Sequence, residues 1–188
     1  SLNKIYGQAF YDCTSLTSIS IPNSVNWVGG SSFRDCSALA SVTIGSGVLG
    51  IGERAFENCV KLTRITIPNS VREIGSSIFN GCTGLTSVTL GNSITAIGDH
   101  AFHDCTALTS INIPSSMIRI GDYAFSQCTT LTNLTIPESV SYLGQVMFWD
   151  CDKLKKVTFP NSLVFIGQQL FSSADNISVI NSYITDPT

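Results

Sequence analysis

The chain has 188 residues and a formal net charge of −3, and only 12% of its residues are charged. That charged share is about half the usual one for a soluble domain, and the balance lacks the basic surface that nucleic-acid binding normally requires. The hydrophobic fraction of 43% can supply a substantial core, but no apolar run approaches the ~20 residues needed to cross a bilayer. The sequence therefore predicts neither a nucleic-acid partner nor membrane insertion.

One repeat of 23 residues accounts for nearly the whole chain. Phe lies three residues before each Cys, and Leu lies three residues after it. The Phe series has one further member, Phe171, and the matching Cys position holds Ala174. A single repeat cannot bury its own apolar residues, so the pattern indicates coils stacked on one another. The cysteines are Cys13, Cys36, Cys59, Cys82, Cys105, Cys128 and Cys151.

Within one repeat, the segment after the Leu predicts a short strand. The alternation of Ile65, Thr66 and Ile67 is typical of a strand with one buried face. Pro or Gly follows it and turns the chain, and an extended return then leads to a Gly that permits a bend. The last phrase, A-F-x-x-C, has apolar residues three apart and favours a single helical or 3₁₀ turn.

This repeat resembles the leucine-rich repeats of the BspA-like (Treponema pallidum type) family, which share its length and its I-G-x-x-A-F-x-x-C and I-x-I-P-x-S-V phrases. The resemblance covers about residues 2–171. It implies an α/β fold, a right-handed solenoid of about eight 23-residue coils with a parallel concave β-sheet and short helical or 3₁₀ turns on the convex side. We expect residues 1–171 to form the solenoid, and residues 172–188 to be a partial C-terminal repeat and tail of the same domain.

The repeat departs from the general leucine-rich-repeat pattern at one position. That pattern has Asn or Cys three places after its L-x-L phrase, whereas this chain has Ser, as at Ser70, or Gly47. An Asn ladder is therefore absent from the sequence. We expect Ser to take over part of its hydrogen bonding to the backbone.

The variable positions of the strand form two adjacent rows that we expect to face solvent. In leucine-rich-repeat proteins such rows line the concave sheet, where partners usually dock, so the resemblance implies a binding surface here. The rows are rich in hydroxyl groups, and since Thr also favours strands for its own sake, a purely structural role stays open. They consist of Ser18, Ser41, Arg64, Ser87, Ser110, Asn133 and Lys156, and of Ser20, Thr43, Thr66, Thr89, Asn112, Thr135 and Thr158.

Aromatic residues offer a second candidate surface. Trp27, Tyr142 and Phe165 share one variable position of the repeat, and Trp149 occupies another. Exposed aromatic side chains can anchor an interface. They can equally cover the ends of the core, and the sequence leaves both interpretations open.

The cysteines and the two histidines are the remaining candidates for chemistry. Every Cys lies between Phe and Leu, and no C-x-x-C motif occurs, so we interpret the column as a buried structural ladder. His100 and His103 lie beside Asp99 and Asp104 and could hold a metal weakly, but their positions vary among the repeats, which is typical of a solvated face. Motifs for a nucleophilic Ser or a phosphate-binding loop are missing. We predict a protein that is not an enzyme and needs no cofactor or metal.

The functional hypothesis rests mainly on the family. BspA-like proteins are associated with bacterial and protozoan surfaces and with adhesion to matrix proteins such as fibronectin and fibrinogen. The resemblance thus implies a secreted or cell-surface module that binds a protein or a glycan. Because the sequence starts inside a repeat-like phrase and lacks a signal-peptide pattern, we expect it to be part of a longer chain.

Two alternatives come from the regularity of the repeats. A spacer or stalk segment that carries other domains would suit coils that are nearly uniform. Ordered rows of hydroxyl groups could also bind ice or another crystal, although Arg64 and Lys156 interrupt the row and argue against that function.

Overall fold

The computed structural model describes residues 2–182, which form sixteen β-strands and no helix. Ser1 and residues 183–188, the end of the predicted tail, lie outside the described residues. Eight strands have three or four residues: β2 (Ser18–Ile21), β4 (Ser41–Ile44), β6 (Arg64–Thr66), β8 (Ser87–Thr89), β10 (Ser110–Asn112), β12 (Asn133–Thr135), β14 (Lys156–Phe159) and β16 (Val179–Ser182). Eight have two residues: β1 (Lys4–Ile5), β3 (Trp27–Val28), β5 (Gly50–Ile51), β7 (Glu73–Ile74), β9 (Ala96–Ile97), β11 (Arg119–Ile120), β13 (Tyr142–Leu143) and β15 (Phe165–Ile166).

The longer strands stack side by side, and we call them together the long-strand sheet. All of their pairings are parallel and join residues 23 apart, such as Ile65 with Val88. The backbone hydrogen bonds form three groups, β2–β4, β6–β8–β10 and β12–β14–β16. The prediction of about eight stacked coils with parallel strands is therefore confirmed.

The two-residue strands form a second layer, the short-strand sheet, in the order β1–β3–β5–β7 and β9–β11–β13–β15. In each inner coil the first strand residue is variable and the second is a buried aliphatic, such as Ile74. The sequence predicted this segment as an extended return. Its pairing into a sheet of its own was not predicted, although stacking at a constant interval places neighbouring segments where they can pair.

The A-F-x-x-C phrase forms consecutive turns, so the prediction of helical or 3₁₀ turns, and with it the α/β class, is wrong for the described residues. Arg54 and Asn58 have φ values of 55° and 59°. A left-handed residue at every fourth position interrupts the right-handed backbone that a helix needs. Alternate N–H groups donate to the next coil instead, as from Phe56 to the carbonyl of Ile78 at 3.0 Å.

Ladders of identical side chains fill the space between these three sides. Consecutive rings of the Phe ladder, from Phe10 to Phe171, stack with centroids 5.2 to 6.1 Å apart. The six inner rings are fully buried, and only the two terminal ones are half-buried. Stacked aromatic pairs contribute about 0.5–1.5 kcal/mol each beyond the area that they bury. The Phe ladder thus ties every coil to the next.

The expectation that Ser replaces the missing Asn ladder is confirmed in four coils. The hydroxyl of Ser70 donates to the carbonyl of Val48 in the preceding coil at 2.7 Å. The position after the long strand therefore still links neighbouring coils, through a shorter side chain than Asn. The same bond, at 2.6 Å, is made by Ser24, Ser116 and Ser162.

Val146 occupies a left-handed position in the turns, with a φ of 53°. A β-branched residue is strained there, at a cost of roughly 1–2 kcal/mol, whereas Asn tolerates this conformation. We expect Val146→Asn to raise the free energy of unfolding by about 1 kcal/mol in a denaturant titration. The control is Val60→Asn, at an exposed turn position without a positive φ, where stability should stay equal or fall. Similar gains at both sites would contradict backbone strain at Val146.

Candidate functional site

All fourteen predicted row residues lie on the longer strands β2 to β14. The strand pairing places equivalent residues beside each other, as Arg64 beside Ser87 and Asn133 beside Lys156. Their side chains are exposed, except that Ser87 and Thr158 are half-buried. Between the two rows, each of the five longer strands from β6 to β14 turns one aliphatic residue into the core, such as Ile65 at 3% exposure. The structure thus brings the predicted residues together on one face.

A depression of 360 Å³ opens on this face where the backbone ladder is interrupted between β4 and β6. The row residues Thr43, Arg64 and Thr66 line it, together with Pro68 at the strand end. It combines a guanidinium, two hydroxyl groups and aliphatic side chains, so it can receive a side chain of a docked molecule. Sequence reasoning missed this depression, because the 23-residue spacing continues there unchanged and does not reveal an interruption in the backbone pairing.

The shared aromatic position lies on the short-strand sheet, away from the two rows. Trp27 is half-buried and lies across the neighbouring coil, since a Cβ atom on Gly50 would come within 2.2 Å of its ring. Trp27 therefore covers the backbone of the next coil. At the other end, Phe165 is 47% exposed and stacks on Tyr142 at 4.7 Å, with Arg119 over the other face of that ring.

Trp149, the fourth aromatic candidate, lies on the turn side and is half-buried. Its backbone N–H donates to the carbonyl of Val146 at 3.3 Å within the same turn. The aromatic candidates therefore do not gather into one site, because they occupy two different sides of the coil.

The Cys column makes a regular set of hydrogen bonds. From Cys36 onward, each thiol donates to the carbonyl of the Phe in the preceding coil, at 3.0 to 3.2 Å. Burial raises the pKa of Cys82 to about 12 and that of Cys105 and Cys128 well above the ordinary value. These thiols therefore stay protonated at neutral pH, which keeps them donors and makes them poor nucleophiles. All seven cysteines are unpaired, which agrees with a structural ladder.

The two histidines pack into the turn side more closely than a solvated face would require. Both are half-buried, and their rings lie 5.5 Å apart, while His100 also stacks on Tyr123 at 4.7 Å. Burial, with a smaller contribution from His100, lowers the pKa of His103. Within residues 2–182, no group of three or more His, Cys, Asp or Glu side chains could hold a metal ion.

These stacked coils define a leucine-rich-repeat solenoid. The chain matches the family model of the BspA type leucine-rich repeat region over residues 3–118 and 97–185. It belongs to that family. Solenoids of this kind are typically non-catalytic scaffolds that bind proteins. Residues 2–182 contain no helix that is long and apolar enough to cross a membrane.

Solved structures show the same architecture. A leucine-rich-repeat protein of T. pallidum is 33% identical, covers 89% of this chain and 79% of its own, and has a TM-score of 0.80. One from Bacteroides ovatus is 27% identical over 97% of this chain and 59% of its own, with a TM-score of 0.64. A leucine-rich cell surface protein of Faecalibacterium prausnitzii shares the fold with 23% sequence identity and a TM-score of 0.55. The match covers 98% of this chain and 70% of that protein. No curated protein gives a significant match.

The raised thiol pKa values predict that the protein loses stability in alkali. A pKa that is raised by folding stabilises the native state fully below the unfolded value, near 9, and the contribution is lost as the pH rises toward the folded value, about 12 for Cys82. Each such thiol should lower the free energy of unfolding by roughly 1.4 kcal/mol per pH unit in that window. Denaturant titrations from pH 8 upward measure the slope.

The matched variant for this prediction is Cys82→Ser, which keeps a hydroxyl donor but removes the titration. Its stability should decline less steeply with pH than that of the wild type, by the equivalent of one proton. Parallel slopes for the two proteins would mean that Cys82 does not titrate in this way.

The packing of Trp27 on Gly50 predicts a response that depends on both residues. Gly50→Ala should push the ring aside, lower the free energy of unfolding by about 1 kcal/mol and shift the Trp27 fluorescence to the red. In the Trp27→Ala background, the same change should stabilise the protein by about 0.5 kcal/mol, because Ala restricts the unfolded chain. A Trp149→Phe parent leaves Trp27 as the sole tryptophan, which can be excited selectively over the tyrosines. Equal effects of Gly50→Ala in both backgrounds would refute the contact.

Proposed function

We propose that the chain is a secreted or cell-surface module that binds a protein ligand through the two exposed rows of the long-strand sheet. The observation that carries this proposal is the alignment of fourteen variable side chains on one continuous face. On this face the stacking buries the residues between the rows from β6 to β14 and leaves twelve of the fourteen row residues exposed for an interaction.

The dimensions of this face favour an elongated contact. Seven strands spaced ~4.8 Å apart give rows about 29 Å long, while the two rows lie only about 7 Å apart. The strip between the rows, about 200 Å², is smaller than the roughly 800 Å² per partner of a standard interface. A segment that lies along the rows would use this shape well, and the depression at Arg64 offers a place for one of its side chains.

Similarity to known proteins supports the assignment to a cell surface. The F. prausnitzii protein that shares this fold is a cell surface protein, and the BspA type family model matches most of this chain. Adhesion to host or matrix proteins is the function that this family membership suggests. A spacer or stalk segment is the competing function, favoured by the uniform Phe ladder that makes the rod continuous.

Binding to immobilised fibronectin and fibrinogen tests the proposal. We expect the purified chain to bind at least one of them with micromolar or tighter affinity. The variant Thr89→Tyr/Ser110→Tyr adds bulk to the centre of the rows without changing charge, and Tyr suits strands. It should weaken binding roughly tenfold, which is about 1.4 kcal/mol.

The control is Thr95→Tyr/Ile118→Tyr, which also places two Tyr side chains at exposed positions, here beside the short-strand sheet. It should bind within about twofold of the wild type. Equal losses in both variants would argue against the rows as the binding face. If the wild type binds neither matrix protein, adhesion to these ligands is wrong and the spacer function is favoured.

A further inference from the structure

The acidic chain carries a positive charge on the side of the proposed binding face. The strand segments, which we define as each long strand with the four residues that lead into it, contain five Lys or Arg and only two Asp or Glu, a formal charge of +3. The rest of the chain contains five Lys or Arg and eleven Asp or Glu, a formal charge of −6. The cations of the strand segments are Lys61, Arg64, Lys153, Lys155 and Lys156.

These five cations are exposed, and none of them joins an ion pair within the described part of the chain. On the other sides, two of the five cations are paired: Arg34 lies 2.9 Å from a carboxylate oxygen of Glu57, and Arg119 lies 3.8 Å from Asp99. The cations of the strand segments therefore have no structural partner that accounts for them, and their charge is available to an incoming molecule.

The cations form two groups that lie four coils apart. Lys61 and Arg64 belong to the third coil, and Lys153, Lys155 and Lys156 to the seventh. Four strand spacings of ~4.8 Å separate the groups by about 19 Å. The row residues between them carry only hydroxyl and amide groups. A ligand with charge along its whole length, such as a nucleic acid or a sulfated glycan, would meet no cation over that distance.

We propose that the ligand of this face is an acidic segment of a polypeptide, extended along the rows, with carboxylates at both cationic groups and uncharged residues between them. This inference rests on the proposed function and names the chemistry of its partner. At ~3.4 Å per residue, an extended chain covers the distance between the groups with about five or six residues. Hydroxyl and amide side chains of the rows can hydrogen-bond to its backbone.

The experiment uses a synthetic probe, a fluorescent peptide with two Glu at each end and six Ser or Thr residues between them. We expect fluorescence anisotropy to detect binding that weakens as salt is added, because the contacts are exposed charges. The variant Arg64→Ser/Lys156→Ser introduces the Ser that four of the other coils have at this position, and it should weaken binding at least about tenfold. The control Arg54→Ser/Arg72→Thr removes two exposed cations from other sides and should stay within about twofold.

Both variants have the same net charge, so a difference between them reports position and not overall charge. Equal losses in both variants, absence of peptide binding, or binding of heparin in place of the peptide would each overturn the proposal. The experiment can reject the acidic-segment inference without rejecting the adhesion function. If fibronectin or fibrinogen binds the wild type and the Arg64→Ser/Lys156→Ser variant equally while Thr89→Tyr/Ser110→Tyr weakens that binding, the rows bind a protein but the acidic-segment inference is wrong.

Discussion

Every part of this molecule depends on the stacking of one coil on the next with a constant spacing of 23 residues. No coil encloses a core of its own, because its apolar side chains are covered only by the same side chains of its neighbours. The Phe ladder shows the constraint directly, since its rings lie face to face from the first coil to the last. A change of one residue in the length of a single coil would displace all of the ladders at once.

The same constraint determines where the backbone and the polar core atoms find partners. On the turn side, hydrogen bonds run between coils, which requires left-handed residues at regular intervals and accepts strain at Val146. A Phe carbonyl that faces the next coil is satisfied by the Cys thiol there. Cys suits this position because it is small and largely apolar, yet still a weak donor. Interactions between coils thus replace the local bonds that stabilise helices.

Much of this architecture could be predicted from the sequence, since the period alone sets the number of coils, the buried ladders and the exposed rows. The turns could not, because apolar residues three apart, as Phe56 and Cys59, suit both a helical turn and a pair of tight turns. The second sheet was missed since two residues are too short for an alternation pattern. The depression at Arg64 depends on the spacing of two strands, and the position of Trp27 depends on the absence of a side chain at Gly50.

Stacking also indicates where function can reside. It dictates the inward residues and the turn backbone, and it uses many polar groups of the other sides in bonds between coils, such as that of Asn80 to Glu57. The fold does not require a particular side chain at the row positions, and most of them are Ser or Thr. Arg64 and Lys156 depart from Ser where the fold gains nothing from a charge, and no carboxylate of the described residues pairs with either one. Stability of the solenoid does not explain these two departures from Ser. Binding of a partner is therefore the explanation to test.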